Sequence, residues 1–399
     1  MGPSRTPAAV RHVHEALAPA RRHLEAHDAD TLACQVALAQ VAAPTGLEQR
    51  RAEVVRQHLA ALDLRPAIDA AGNVVGRRDG ARDLPPVVVC AHLDTVFDAD
   101  TPVQVARTGR RYVGPGIGDN ARGLAGMVAL AQALQATHVR TRHPILFVAT
   151  TGEEGNGNLA GARHLFATAA ARAHAAIALD GPGDERVVTH ALGTLRYRVD
   201  FAGPGGHSWA DHGRVNPVHA AASFAAQLAA WPLPLAPRTT LSVNRIGGGT
   251  TINAIPASAW LEVDLRSTAP RELDRLDEDL HALAARVADS ATHARRAGSG
   301  TLTVQVTRTG HRPSGAIPAD AFLATAAFEA TRLIGRTPDA AIASTDANIP
   351  MHLGIPAIAL GAGGRGGDVH TAREWFENRD GALGLARALT ILVAVAELA

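Results

Sequence analysis

The sequence predicts an α/β fold, in which a mainly parallel sheet with helices on both faces is interrupted by a smaller α+β sandwich domain. Short apolar runs alternate with helical patterns toward both ends of the chain, which is typical of buried parallel strands joined by helices. The middle of the chain alternates apolar and polar residues, which is the period of a sheet with one face in water. The 399 residues exceed the usual size of a single core, so we expect two domains.

The predicted elements follow in chain order. Helical patterns cover residues 12–42 and 47–62. The predicted buried strands are VVVCA (87–91), ILFVAT (145–150), AAIAL (175–179) and AIAL (357–360). In the middle of the chain, the predicted strands are 194–203, 239–248, 258–267 and 301–310, and helical patterns fall at about 215–230 and 270–295. We therefore predict a discontinuous larger domain of residues 1–190 and 311–399 around an inserted domain of residues 191–310.

The composition excludes several classes of protein. The formal net charge is +1 and the basic residues, all of them arginine, are interleaved with acids, so we expect neither nucleic acid nor an anionic membrane as a partner. No apolar run approaches the roughly 18 residues of a membrane span, and the N-terminal residues lack the apolar core of a secretory signal. The two distant cysteines, Cys34 and Cys90, form neither a disulfide framework nor a zinc knuckle. We therefore expect a cytoplasmic protein.

His92 and Asp94 directly follow the first buried strand, in the sequence VVVCAHLDT. In an open parallel sheet, ligands gather at the carboxyl ends of the strands. His92 could bind a divalent metal through one ring nitrogen, and Asp94 could hold the imidazole in the binding tautomer. The triplet His-x-Asp is common, however, and a solvated turn after a strand is the alternative interpretation.

Asp119 lies between glycines and an amphipathic helical pattern, in GPGIGDNARGLAGMVALAQAL. One interpretation makes it the N-cap of that helix. The flanking glycines also let the backbone approach a ligand closely. A carboxylate can bridge two metals, which a hydroxyl cap does less well, so the pattern favours the functional interpretation.

Two adjacent carboxylates, Glu153 and Glu154, follow the second buried strand. Like charges side by side after an apolar strand are costly unless cations compensate them or water screens them. One of the two could bind a metal while the other stays free to take a proton. The alternative is an exposed acidic turn, which is less favoured because this turn lies at the same predicted sheet edge as His92.

Asp180 ends the third buried strand, and His370 follows the fourth through the glycine-rich loop GAGGRGGDVH. Each signal is weak by itself, because a single aspartate at a strand end is more often a turn or cap residue. Together, the carboxylates and histidines at four strand ends provide what a two-metal site needs, including one shared carboxylate. One such set places His92 and Asp180 on one metal and Glu154 and His370 on the other, with Asp119 as the bridge.

These segments resemble a zinc exopeptidase superfamily that contains tripeptide aminopeptidase, acetylornithine deacetylase, succinyl-diaminopimelate desuccinylase and the glutamate carboxypeptidases. The matching segments occur in the family's order between about residues 87 and 376: AHLDTV, GIGDNARG, TTGEEGNG, ALDG, GPGGHS, NAIP with VDLRS, and GGDVHTAREW. The resemblance implies a catalytic α/β domain interrupted by a lid domain through which two copies dimerise. It implies two divalent metal ions, with zinc as the first choice and cobalt or manganese as alternatives.

The resemblance also implies roles for single residues. It supports the metal-ligand set given above, with Asp94 orienting His92 and a cis peptide bond after Asp119. Glu153 would be the general base that deprotonates the water shared by the two metals, and it would then pass the proton to the leaving amine.

In the predicted inserted domain, the resemblance assigns substrate contacts to His207, Asn253 and Arg266. His207, in GPGGHSWADHG, would stabilise the tetrahedral oxyanion, often in the active site of the partner subunit. Asn253 and Arg266 match positions that bind the substrate's carboxylate or backbone. Without the resemblance, a polar hairpin loop and a solvated strand face would explain these side chains.

Asp180 gives the main indication of the substrate. Deacylases and glutamate carboxypeptidases of the superfamily usually have glutamate there, so aspartate favours the aminopeptidase and dipeptidase branch. The segment STDANIPMHLGIPAIALGAGGRGG also resembles the tripeptide aminopeptidase branch. We therefore predict an exopeptidase that acts on small peptides. The alternatives are an amidohydrolase that deacylates N-acyl amino acids by the same metal chemistry and, less favoured, a catalytically inactive binding protein.

Overall fold

A mixed β-sheet organises the first of two units into which the chain folds. The computed structural model describes residues 6–295 and 300–399. Residues 1–5 of the predicted larger domain and residues 296–299 of the predicted inserted domain therefore lie outside the described residues. The first unit comprises Met1–Ala191 and Ala316–Ala399, and the second comprises Leu192–Gly315.

Helices and short strands alternate along most of the described chain. The helices are α1 (Pro7–Ala16), α2 (Ala18–Ala26), α3 (Asp28–Ala39), α4 (Gln49–Ala60), α5 (Ala121–Ala136), α6 (Ala160–Ala167), α7 (Pro217–Ala229), α8 (Pro270–His293), α9 (Phe322–Leu333), α10 (Asn348–His352) and α11 (Gly381–Ala396). The strands are β1 (Ala67–Ile68), β2 (Val74–Arg78), β3 (Val87–His92), β4 (Ala106–Thr108), β5 (Arg111–Val113), β6 (Ile145–Thr150), β7 (Ala175–Leu179), β8 (Arg186–Ala191), β9 (Gly193–Ala202), β10 (Gly206–His207), β11 (Thr239–Gly248), β12 (Ala254–Ile255), β13 (Ser258–Ser267), β14 (Thr303–Arg312), β15 (Gly315–Ala316), β16 (Asp339–Ala343), β17 (Ala357–Leu360), β18 (Arg365–Gly367) and β19 (Trp375–Glu377). None of the helices formed by the described residues combines the length and hydrophobicity that crossing a bilayer would require.

Four neighbouring strands form the parallel centre of the sheet in the first unit. Their order across the sheet is β6, β3, β7 and β17, and each runs parallel to the next. Toward the edges the pairing becomes antiparallel, because β2 runs against β6 and β8 runs against β17. The predicted α/β class is confirmed, and its sheet is a mixed one with a parallel centre.

The strand β3 explains why helices cover both faces of this sheet. Its residues Val87, Val89 and Ala91 belong to the apolar cluster that includes α5 and α11. The alternate residues Val88 and Cys90 belong to a second cluster, which includes α6 and α10. Successive side chains of a strand point to opposite faces, so a strand buried on both faces is an uninterrupted apolar run.

The region predicted as helical over residues 12–42 consists of three helices, α1 to α3. Leu17 and His27 interrupt it with ψ angles of 10° and 21°, which lie outside the helical region. Pro19 lies in the first turn of α2, where its missing N–H group leaves no hydrogen bond unmade. The sequence prediction joined three helices into one helical region, because neither Leu17 nor His27 is a glycine or a proline that would mark a break.

The second unit contains a four-stranded antiparallel sheet in the order β11, β13, β9, β14. Along β13, Leu261, Val263 and Leu265 are buried, and they pack in one apolar cluster with residues of α7 and α8. The intervening residues, such as Glu262 and Asp264, are only partly buried. This alternation has the period expected of a sheet with helices on one face and water on the other.

Asp184 pairs with two arginines beside the segment that leads to His370. Its carboxylate is 1% exposed and lies 2.9 Å from Arg336 Nε and 3.1 Å from Arg365 Nη1. We expect Asp184→Ala to lower the free energy of unfolding by about 2 to 3 kcal/mol, because two charged donors lose a buried acceptor. The matched control is Asp380→Ala, which removes the half-exposed partner of Arg336 and should cost about 1 kcal/mol or less. Urea denaturation compares the two variants, and equal losses would contradict the prediction.

Candidate metal centre

The parallel strands of the first unit bring the predicted metal ligands to one edge of the sheet. His92 is the last residue of β3, and Asp180 follows β7 directly. Glu154 follows β6 after a short turn, and His370 follows β17 through a loop that contains β18. The carboxyl ends of adjacent parallel strands meet at the same edge, so side chains that are distant in sequence come together there.

Asp119 lies between the two histidines. Its Oδ1 atom is 2.9 Å from His92 Nε2, and its Oδ2 atom is 3.3 Å from His370 Nε2. Each histidine also has a second carboxylate. Glu154 Oε1 is 2.9 Å from His370 Nε2, and Asp180 Oδ1 is 3.8 Å from His92 Nε2. The five predicted ligands therefore form one connected cluster around Asp119.

Three overlapping groups of these side chains have donor atoms close enough to hold a metal ion. In each group, one donor atom per residue lies within 4.8 Å of the others. Imidazole nitrogen and carboxylate oxygen are donors that zinc and related divalent ions accept. The residues present therefore fit two divalent cations. The groups are His92, Asp119 and Asp180; Asp119, Glu154 and His370; and His92, Glu153 and Glu154.

The charge of the cluster favours a cation. Hydrogen bonds to Asp119 and Glu154 raise the pKa of the His370 imidazole to about 10. Burial lowers the pKa of His92, but hydrogen bonds to Asp119 and Asp180 outweigh it and raise that pKa well above its usual value. The carboxylates thus stabilise positive charge between them, and bound divalent cations would neutralise the same excess of negative charge.

Asp94 forms hydrogen bonds that connect the end of β3, where His92 lies, to the turn that contains Glu153 and Glu154. Its carboxylate accepts hydrogen bonds from the N–H groups of Glu153 (2.9 Å) and Glu154 (2.8 Å) and from the hydroxyl of Thr45 (2.9 Å). Its backbone carbonyl lies 3.0 Å from His92 Nδ1, and its carboxylate lies 3.6 Å from the same nitrogen. A carbonyl can only accept, so Nδ1 carries the proton and Nε2 is left to bind a cation.

Glu153 lies beside the ligand cluster. It is 5% exposed, and one of its carboxylate oxygens lies within 4.8 Å of a ring nitrogen of His92 and an oxygen of Glu154. It belongs to neither of the two groups that contain Asp119. This is the position expected of a base next to a metal centre.

The loop before α5 leaves the carboxylate of Asp119 available to the cluster. Asn120 is the N-cap of this helix, because its side chain accepts a hydrogen bond of 3.0 Å from the N–H group of Gly123. Its amide also donates to the carbonyl of Leu179, at 2.8 Å. The alternative interpretation of Asp119 as the N-cap is therefore wrong. The peptide bond between Asp119 and Asn120 is cis, which confirms that expectation.

Glu374 was not among the predicted site residues, yet this buried carboxylate holds the loop of Asp119. Its Oε1 atom accepts hydrogen bonds of 2.7 Å from the N–H groups of Gly118 and Asp119, and its Oε2 atom accepts one of 3.0 Å from that of Gly116. Burial raises the pKa of Glu374 to about 7, although these N–H groups lower it. Glu374 lies in GGDVHTAREW, a segment that carries the family resemblance and contains His370, so its membership of this segment could have marked it as a candidate site residue.

We expect Glu374→Ala to lower the free energy of unfolding by about 3 kcal/mol or more, because three N–H groups lose their acceptor at about 1 to 3 kcal/mol each. Zinc affinity should also fall about 10- to 100-fold, because the loop of Asp119 is no longer held. Denaturation and a calorimetric zinc titration measure the two effects. Arg373→Ala, a change at the exposed neighbour, is the control. Wild-type stability and zinc affinity in Glu374→Ala would contradict the prediction.

Asp346 is a second buried carboxylate that was not among the predicted site residues. It accepts a hydrogen bond from the hydroxyl of Thr150, the last residue of β6. Burial raises the pKa of Asp346 to about 6, and its charge interacts with those of His92 and Asp180. It therefore contributes to the electrostatics of the cluster, although it lies in a segment after β16 that contains none of the predicted ligands.

In the second unit, the structure brings His207 and Asn253 close together and places Arg266 elsewhere. His207 lies in β10, which pairs with β12, and Asn253 directly precedes β12. Both side chains are exposed. Arg266 lies near the far end of β13, where its Nε atom is 2.7 Å from Asp264 Oδ2. At about 3.3 Å per residue, it is roughly 26 Å along that strand from Ser258.

Known proteins share both this sequence pattern and this fold. The profile of peptidase family M20/M25/M40 matches residues 88–396. A succinyl-diaminopimelate desuccinylase of Leptothrix cholodnii is 28% identical over 283 residues, which cover 66% of this chain and 70% of that protein. A solved tripeptidase of Staphylococcus aureus superposes with a TM-score of 0.75 at 22% identity, covering 92% of this chain and 98% of that one. The aminopeptidase PepT of Bacillus cereus gives a TM-score of 0.74 at 22% identity, covering 94% and 99%.

The family match confirms the resemblance found in the sequence. It covers more than half of the chain and includes every residue of the candidate metal centre. The two solved structures show that the fold extends over nearly the whole chain. The chain therefore belongs to peptidase family M20/M25/M40.

Proposed function

We propose that this member of the family is a two-metal exopeptidase that hydrolyses an amide bond of small peptides, as an aminopeptidase or a dipeptidase. The observation that supports it most is the position of Asp119, whose two oxygens face His92 and His370. A carboxylate that bridges two ions requires this arrangement. Aspartate at position 180 and the structural similarity to a tripeptidase and to PepT support the peptidase branch.

The proposed ligands divide between two ions that share one carboxylate. Zinc suits nitrogen and oxygen donors of this kind, and cobalt and manganese are the alternatives. Two such ions would polarise the amide carbonyl and lower the pKa of the attacking water. One ion would be held by His92 and Asp180 and the other by Glu154 and His370, with Asp119 shared.

Glu153 is the proposed general base. Its carboxylate takes a proton from the water as the new carbon–oxygen bond forms, and gives this proton to the leaving nitrogen as the carbon–nitrogen bond breaks. The hydrogen bond from its N–H group to Asp94 fixes the turn on which it lies. Burial shields the carboxylate from bulk water, which strengthens its interactions with the reacting groups.

We propose that the first unit is the catalytic domain and the second is a lid that contacts the substrate. His207 would donate a hydrogen bond to the oxyanion, and Asn253 and Arg266 would bind the substrate's backbone or carboxylate. The proposal includes a homodimer formed through the lid and a cytoplasmic location. Sedimentation velocity tests the dimer, and a monomer at micromolar concentration would contradict it.

A substrate panel on protein reconstituted with metal tests the activity. We expect hydrolysis of Ala-Ala-Ala and little or none of N-acetyl-alanine. Activity on the acylated compounds alone would contradict the peptidase proposal, and the absence of any amide hydrolysis would contradict the enzyme proposal. Mass spectrometry of the reconstituted protein should find about two ions per chain.

The second candidate is an amidohydrolase that removes an acyl group from an amino acid. The similarity to a succinyl-diaminopimelate desuccinylase favours it. The metal chemistry is the same in both cases, so the two candidates differ only in the group that the pocket accepts next to the amide.

A further inference from the structure

A cavity of about 620 Å³ lies beside the candidate metal centre in the first unit. Glu154 is part of its wall, with Thr151 and Gly152 from the same turn, while Val96 and Phe97 form an apolar part. The volume is in the range of cavities that bind small molecules. The cavity is therefore placed to receive part of a substrate whose amide bond reaches the proposed ions.

The charged side chains in this wall are all acidic. They are Glu48, Asp98 and Glu154, and none of the described residues that line the cavity is an arginine or a histidine. The whole chain is almost balanced, with 39 basic and 38 acidic residues, so the acidic wall is a local feature. Glu154 is a proposed metal ligand, so the bound ion would compensate its charge. A carboxylate that entered this cavity would lose hydration and meet the like charges of Glu48 and Asp98, whereas an ammonium group would meet two opposite charges.

Glu48 is a buried acidic group that lines the cavity and is hydrogen-bonded to the turn that carries Glu154. It is 4% exposed and directly precedes α4. Its Oε1 atom accepts hydrogen bonds from the N–H groups of Gly46 (2.8 Å) and Gly152 (3.1 Å). Both bonds use the same oxygen, which leaves Oε2 for a ligand in the cavity. An ammonium group brings three N–H donors, so it can satisfy a buried carboxylate oxygen better than a neutral group can.

We propose, on the basis of the proposed function, that this cavity binds an ammonium group of the substrate and that Glu48 and Asp98 supply its counter-charges. The ammonium group is either the α-amino group of the first residue or the amino group of a basic side chain. A succinyl group ends in a carboxylate, so the same wall disfavours it. The inference therefore selects peptides with a free amine over amino acids that carry a dicarboxylic acyl group.

Four tripeptide substrates separate the two sources of the ammonium group: Ala-Ala-Ala, N-acetyl-Ala-Ala-Ala, N-acetyl-Lys-Ala-Ala and N-succinyl-Ala-Ala-Ala. We expect kcat/KM for Ala-Ala-Ala to exceed that for its N-acetyl form at least 10-fold, with the N-succinyl form slowest of all. Recovery of the rate with N-acetyl-Lys-Ala-Ala would assign the cavity to a basic side chain. No recovery would assign it to the α-amino group. Faster hydrolysis of the N-succinyl than of the N-acetyl peptide would overturn the proposal.

Two variants test the acidic groups directly. Glu48→Gln keeps an oxygen acceptor for Gly46 and Gly152, and we expect it to raise the KM for the preferred amine substrate about 10- to 100-fold. Asp98→Asn, at an exposed position, should raise that KM about 2- to 5-fold. A general loss of structure would raise the KM for N-acetyl-Ala-Ala-Ala by the same factor, so the ratio of the two KM values isolates the loss of the counter-charge. The matched control is Asp100→Asn, which changes an exposed acid of the same loop outside the cavity wall.

Calorimetry with Glu153→Gln protein loaded with zinc tests the cavity without relying on turnover. The amine substrate should bind at least 10-fold more tightly than its N-succinyl form, and Glu48→Gln in addition should remove this difference. Equal binding of the two peptides would overturn the proposal for the cavity. Selective amine binding in a protein whose wild-type form hydrolyses no amide would instead overturn the proposed function and leave the cavity assignment standing.

Discussion

Glu153→Gln should lower kcat for the preferred peptide about 10²- to 10⁴-fold, which is the contribution that a positioned general base commonly makes. Glutamine has nearly the same shape as glutamate but cannot take a proton from water. The hydrogen bond from the N–H group of residue 153 to Asp94 is made by the backbone, so the turn should keep its position. Steady-state kinetics on zinc-loaded protein measure the effect.

The metal content of this variant separates loss of the base from loss of the site. We expect about two zinc ions per chain, as in the wild type, because Glu153 is not among the five proposed ligands. Glu185→Gln, an exposed glutamate of the same unit, is the matched control and should leave kcat unchanged. A Glu153→Gln enzyme with wild-type kcat would show that another group carries the proton.

Asp119→Ala should reduce the zinc content from about two ions to one or fewer per chain, because it removes the carboxylate whose two oxygens lie 2.9 Å from His92 Nε2 and 3.3 Å from His370 Nε2. We expect kcat/KM to fall at least about 10³-fold, since the metal ions contribute several kcal/mol of transition-state stabilisation. Mass spectrometry and kinetics on the same protein sample measure both quantities.

Two further variants test whether the zinc content depends on Asp119 because both ions share this carboxylate. Asp180→Ala removes a proposed ligand of one ion only, so it should lose about one zinc ion per chain. Asp83→Ala changes an exposed aspartate that precedes β3, and it should lose none. Retention of two zinc ions by Asp119→Ala would contradict the role of this residue as a bridge.

The central strands could be predicted from the sequence because each is buried on both faces. The strands β3, β6, β7 and β17 differ from the predicted runs by at most one residue at an end. The strands β8 and β16 were missed. β8 carries an arginine and a histidine, and β16 is largely exposed with an aspartate at its start, so neither forms a continuous apolar run.

The candidate ligands could be predicted because imidazoles and carboxylates recur at the ends of four apolar strands, although each signal is weak by itself. The supporting carboxylates Glu48 and Glu374 could not be found in that way. Both act on backbone N–H groups, which every sequence contains, and the partners of Glu374 lie more than 250 positions away. Contacts of this kind depend on which loops the fold brings together. For Glu374, the local indication is only that it lies in the segment GGDVHTAREW with His370.

The order of the central strands has a consequence for how the protein is made. The strand β17 pairs with β7, although the entire second unit lies between them in the chain. His370 comes still later. When the first 360 residues have been synthesised, the nascent chain contains His92, Asp119 and Asp180, the proposed ligands of one ion. It does not yet contain His370, a proposed ligand of the other ion. The nascent chain could therefore capture a single ion early, and the second position would be completed only when the last tenth of the protein emerges.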